Sequence, residues 1–204
     1  MGEAIIHGII LAFGLIIPLG VQNVFVFNQG ARQPNIWRAA PVVLTASICD
    51  TLLILIAVQG VSLVLLTFSW LTNTLYTIGF FFLLYMGLVI WRSNSSNDVK
   101  QEISMPVKKQ ILFAASVSLL NPHAILDTIG VIGTNSIQYI GSEKWAFTLA
   151  TIIVSWIWFI CLALAGKFLK RLDSTGKTIV LLNKFSGLII WGVALYMLKQ
   201  VIYS

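Results

Sequence analysis

Apolar residues run along this chain in six long stretches, at roughly 5–27, 40–60, 72–91, 111–133, 145–166 and 185–202. Each approaches the ~20 residues that a helix needs to cross the hydrocarbon core of a bilayer. A soluble protein with several buried helices would not need six such lengths. The pattern predicts an all-α integral membrane protein with six transmembrane helices.

Two of these stretches are interrupted in the middle. The first carries Pro18-Leu19-Gly20, followed at once by the polar pair Gln22-Asn23. The fourth carries Asn121-Pro122-His123, followed by Asp127. Proline removes a donor from the helical ladder and crowds the preceding turn. Irregular backbone at membrane depth is tolerated only inside protein or along a cavity. Pro18, Gly20 and Pro122 are therefore expected to break helices 1 and 4 at a site, with a role in gating.

The breaks match each other. A shift of 104 residues brings Pro18 onto Pro122 and Asn23 onto Asp127, and a shift of 108 brings Ser47 onto Ser155 and Gly79 onto Gly187. Three spans per half force the halves into opposite orientations, so the expected architecture is two inverted three-helix repeats. The first repeat covers 1–91, a polar cytoplasmic linker 92–110, and the second repeat 111–204. Paired helix breaks in an inverted repeat point to a transporter binding site near the midplane.

Composition and charge agree with the membrane reading. Of 204 residues, 58% are hydrophobic and 10% charged, against about 25% charged in soluble domains; the mean hydropathy is +0.91. The net charge of +6 is no sign of nucleic-acid binding, because the thirteen Lys and Arg sit in loops or at span ends. Arg32, Arg38, Arg92, Lys100, Lys108, Lys109, Lys167, Lys170, Arg171, Lys177 and Lys184 fall on one side, and Lys144 and Lys199 on the other. Eleven against two places the basic loops in the cytoplasm and both termini outside. The first stretch lacks the basic start and small-residue cleavage site of a signal peptide. Its expected fate is retention as a span.

Only two of the seven acidic residues, Asp50 and Asp127, lie within spans, and no basic residue lies in a span interior. A carboxylate at the centre of a membrane helix costs about 2.5–3.5 kcal/mol on insertion scales. Two of them imply a polar cavity that awaits a cation, or else protonation and hydrogen bonding to nearby Asn, Ser or Thr. Helix N-termini after the breaks favour an anion. A ligand bearing both signs, such as a basic amino acid, satisfies both features. Gln22, Asn23 and Asn121 supply amide groups to orient it, or bond between helices instead.

The remaining polar and aromatic residues read as structural. His123 beside the break and His7 near the outer end of span 1 are packing residues in this reading, and Trp156 and Trp158 fill the core. Cys49 and Cys161 form no C-x-x-C and suit buried apolar roles, so neither a disulfide nor a metal site is expected. No cofactor motif, catalytic triad, H-E-x-x-H or P-loop is present. Intramembrane aspartyl proteases use Tyr-Asp and Gly-x-Gly-Asp, where this chain has Cys49-Asp50 and Leu126-Asp127. An enzyme is not expected.

Pro18-Leu19-Gly20-Val21-Gln22-Asn23-Val24-Phe25-Val26, Gln29-Gly30, Asn121-Pro122-His123 and Leu126-Asp127-Thr128 resemble the LysE family of amino-acid exporters. The likeness spans essentially the full chain, includes Asp50, and is greatest to the lysine/arginine branch. The homoserine/threonine branch tends to Pro-Gly-Pro-Asn in span 1 and lacks Leu-Asp-Thr. Gly130 departs from the larger apolar residue usual in the lysine/arginine branch, a matter of local packing. The resemblance implies export of a basic L-amino acid from the cytoplasm through a bacterial cytoplasmic membrane, with both aspartates important.

Export of a cation against an inside-negative potential costs about 2.3 kcal/mol per charge per 100 mV. Proton entry is the simplest flow to offset it, with protons and substrate competing for Asp50 and Asp127. The other readings are export of a neutral amino acid or a divalent cation, or a membrane assembly protein that transports nothing. A homodimer is compatible with so few spans, and nothing in the sequence fixes it.

Overall fold

The computed structural model describes residues 1–17, 20–61, 69–92, 105–119, 121–172 and 177–203. Pro18 and most of the expected linker lie outside them, as do the side chains of Pro122 and His123. Among the described residues every regular element is helical.

The first apolar stretch forms α1 (Gly2–Ile16) and α2 (Val21–Arg32), inclined to each other by 80°. The break lies where the Pro-Gly pair predicts it. The far end of α2 runs past residue 27, where the apolar stretch stops. Asn28 to Arg32 continue α2 as a further turn. Tertiary partners hold that turn: Asn28 Nδ2 donates to Asn183 Oδ1 at 2.8 Å. Just beyond it, Lys167 Nζ donates to the carbonyls of Gln33 and Pro34 at 2.7 and 2.8 Å. A cation suits these carbonyls at the negative end of the helix dipole.

The chain then passes through a short 3₁₀ turn, Ile36–Arg38, into α3 (Ala40–Ile56), which ends in a π-helical turn, Ala57–Val61. Gly60 in that turn has φ 95°, a conformation open to glycine and costly for residues with a Cβ. Next come α4 (Ser69–Trp91) and α5 (Val107–Leu119). After the second break, α6 (Pro122–Asp127) runs on through a π-helical stretch, Thr128–Gly133, and a last turn, Thr134–Ser136. The halves of this second bent pair are inclined by 56°. Two long helices, α7 (Gly141–Leu172) and α8 (Lys177–Tyr203), complete the chain.

Among the described residues, three helices are long and apolar enough to cross a membrane, and five spans result if each bent pair counts as one. The outward faces are apolar: Ile48 and Leu52 on α3, Ile153, Ile157 and Leu164 on α7, and Leu188 and Leu195 on α8 are exposed. The inward positions include Asn23, Asn28, Ser47, Ser118, Thr151, Ser155 and Asn183, all buried. Apolar outside and polar between helices is the distribution expected where lipid replaces water and interhelical hydrogen bonds do the joining.

Close backbone approach sets the crossing of α2 and α7. A Cβ on Gly30 would overlap the carbonyl of Ala163, and one on Gly166 would overlap the carbonyl of Phe27. Small residues permit this approach, and packing then supplies the attraction. Both α1 and α2 rest on α7, α3 rests on α5 and α7, and α4 pairs with α8. This arrangement surrounds the two helix breaks.

Candidate functional site

A cavity of about 360 Å³ lies at the breaks. All five polar residues singled out from the sequence line it: Gln22, Asn23, Asp50, Asn121 and Asp127. Gly20 also lines it and serves as the N-cap of α2, with φ −72° and ψ 170°. Leu83, Ile189, Ile190 and Val193 form an apolar wall from α4 and α8.

Each polar group arrives by a local rule. The first-turn N–H groups of α2 have no intrahelical acceptor, and Gly20 at the N-cap brings no side chain to satisfy them. Gln22 and Asn23 fall in that turn. Asn23 bridges the break, because its Nδ2 donates to the carbonyl of Ile16 at 2.7 Å. Asn121 is the N-cap of α6, in extended conformation, with Pro122 at the first helical position, where its missing N–H costs nothing. Five positions further, Asp127 ends α6 at the start of the π-helical stretch.

Two amide groups at the cavity are left unsatisfied among the described residues. Gln22 Nε2 and Asn121 Oδ1 are buried with no hydrogen-bond partner. An unmade hydrogen bond on a buried group costs about 1–3 kcal/mol. One unpaired donor and one unpaired acceptor in the same cavity suit a ligand that presents both kinds of group.

Asp50 is reached from α7. Ser155 donates its hydroxyl to Asp50 Oδ2. Next to it, Trp156 Nε1 donates to Thr51 Oγ1 at 3.0 Å, and Thr51 in turn donates to the carbonyl of Ser47 at 2.7 Å. Trp158 Nε1 approaches Asn23 Oδ1 at 3.4 Å. The two tryptophans, read from the sequence as packing residues, thus also hold polar neighbours of the cavity. His7 fits the packing role given to it: its ring lies 5.6 Å from that of Phe147, and its Nδ1 is 2.9 Å from the Tyr139 hydroxyl.

The sequence reading passed over Thr128, Thr151 and Ser155 as site residues, and all three line the cavity. Thr151, Ser155 and Phe159 do so at helical spacing on one face of α7. Hydroxyls four apart in an otherwise apolar span were the available signal. They are easily passed over because such hydroxyls commonly bond back to their own helix.

The lining contains two carboxylates and no Lys, Arg or His among the described residues. Residues 13–201 match the family of LysE type translocators. The chain belongs to that family. It is 33% identical to the arginine exporter protein ArgO of Escherichia coli (strain K12) over 198 residues, 95% of this chain and 92% of the relative. The same exporter from Pectobacterium carotovorum is 31% identical over 204 residues, 98% of each chain. YisU of Bacillus subtilis (strain 168), which carries the provisional name of an amino-acid transporter, is 55% identical over 194 residues, 95% of this chain and 88% of the relative. No solved structure matches significantly. This LysE-type translocator is therefore a multi-pass membrane protein of amino-acid transport.

Proposed function

We propose that the chain exports basic L-amino acids, arginine or lysine, across the bacterial cytoplasmic membrane in exchange for protons. The observation that carries this reading is the charge of the cavity. Two carboxylates line it, and its lining includes no Lys, Arg or His among the described residues. Arginine and lysine each carry two cationic groups and one carboxylate. The cations complement Asp50 and Asp127. The carboxylate complements the uncapped start of α2 and the unpartnered Gln22 Nε2. Asn121 Oδ1 accepts from an ammonium or guanidinium donor. Arginine export by the ArgO relatives supports the same substrate class.

The transport cycle follows from the same residues. Protons entering from outside neutralise the aspartates and release the substrate, and a cation arriving from the cytoplasm displaces the protons. In this reading six spans form two inverted repeats, with basic loops in the cytoplasm and both termini outside. The pairing of elements supports it: α1 and α2 rest on α7 of the second half, while α5 and the extension of α6 rest on α3 of the first. Gly20, Pro18 and Pro122 mark the breaks about which the halves rock.

The test is purified protein in liposomes, preloaded with arginine, lysine or neutral amino acids, with and without a pH gradient. Efflux of arginine or lysine, accelerated by the gradient, is the expected result. Efflux of neutral amino acids alone, or rates indifferent to the gradient, would sink the substrate and coupling assignments respectively.

A further inference from the structure

Asp50 has a single hydrogen-bond partner among the described residues, the Ser155 hydroxyl, which donates to Oδ2. Ser155 is 1% exposed and lines the cavity itself. It sits between Thr151 and Phe159 on the cavity-lining face of α7. Its neighbours hold the helix on either side: Trp156 reaches Thr51 at 3.0 Å, beside Asp50, and Trp158 reaches Asn23 at 3.4 Å. A hydroxyl bound to one carboxylate oxygen restricts rotation of the group and leaves the other oxygen to a ligand.

We propose that Ser155 is the positioning residue of the cation site. It holds Asp50 so that one oxygen, Oδ1, is presented to the cationic group of the substrate. Asp50 makes the contact, and Ser155 acts through it. Because Ser155 and Trp156 both reach α3 from α7, the α3–α7 interface sets the readiness of the site for a cation. This inference rests on the export of a basic amino acid proposed above.

The test compares wild type with Ser155→Ala, Ser155→Thr, Ser47→Ala and Asp50→Asn in liposomes, using arginine and lysine efflux. Thr keeps the hydroxyl, and Ser47 is a fully buried serine of α3 whose Oγ has no partner among the described residues. Ser155→Ala is expected to raise KM about tenfold or more for both substrates with Vmax changed less than about threefold, as for loss of a hydrogen bond to a charged group. Ser155→Thr restores most of the affinity, and Ser47→Ala keeps the wild-type KM. An unchanged KM in Ser155→Ala, or a Thr variant as impaired as the Ala variant, overturns the positioning role. A fall in Vmax and folded protein with KM unchanged also overturns it. If Asp50→Asn exports normally, the underlying cation-site reading fails instead, whatever Ser155 does.

Discussion

Ser155 and Asp50 are 105 positions apart in sequence, yet the hydroxyl of one is bonded to the carboxylate of the other at the edge of the cavity. The contact joins α3 to α7 and places the charge of Asp50 where a ligand can meet it. Helices from both halves of the chain are needed to build it. Residues far from the breaks therefore bear on the site, and the consequences can be measured.

Neutralising either carboxylate should strongly impair export of basic amino acids. Asp50→Asn and Asp127→Asn each keep the shape of the side chain and remove its charge. Loss of a charged partner from a buried pair costs about 2–5 kcal/mol, so efflux of arginine and lysine at low substrate should fall by about thirtyfold or more. Initial rates from preloaded liposomes, normalised to reconstituted protein, check this. A wild-type rate in either variant would contradict the assignment.

Trp158→Phe removes the indole N–H that approaches Asn23 Oδ1 and keeps most of the ring volume. A neutral hydrogen bond is worth about 0.5–1.5 kcal/mol, which corresponds to a rise in KM of about two- to tenfold. The expected thermal stability in detergent is close to wild type. A large fall in melting temperature with unchanged KM would show that Trp158 only fills space.

The buried Asn28–Asn183 pair ties α2 to α8. Asn28→Ala alone removes the donor to Asn183 Oδ1 and should destabilise the fold by about 1–3 kcal/mol. Replacing both asparagines by leucine removes the polar groups together, and that variant should be more stable than Asn28→Ala. Thermal unfolding in detergent of the two variants decides it. Equal or greater loss in the double variant would rule out the hydrogen bond as the reason for the polar pair.

Gly30→Ala and Gly166→Ala should each force α2 and α7 apart, because the added Cβ meets a carbonyl of the facing helix. Overpacking of this kind costs about 1–3 kcal/mol. Gly192→Ala on α8, where a Cβ has open space, is the control and should be nearly neutral. Melting temperatures of the three variants provide the check. Tolerance of alanine at both Gly30 and Gly166 would contradict the close crossing.

The apolar lengths, the two breaks and the isolation of Asp50 and Asp127 follow from the sequence by itself. Hydrophobic length, proline geometry and the cost of a buried charge are local properties, readable one segment at a time. Tertiary structure decided what distant residues do to one another. It extended α2 through Asn28 to Arg32, because Asn183 and the close crossing with α7 make helix better than a turn there. It placed Ser155 on Asp50 and brought Trp158 to Asn23, contacts across 105 and 135 positions that no spacing rule encodes. It also gathered Gln22, Asn23, Asp50, Asn121 and Asp127 around one cavity. Each residue's polarity marked it as unusual in a membrane span. Their meeting depended on how the bent helices cross, and that crossing is set by backbone approach at Gly30 and Gly166, between helices more than 100 residues apart in the chain.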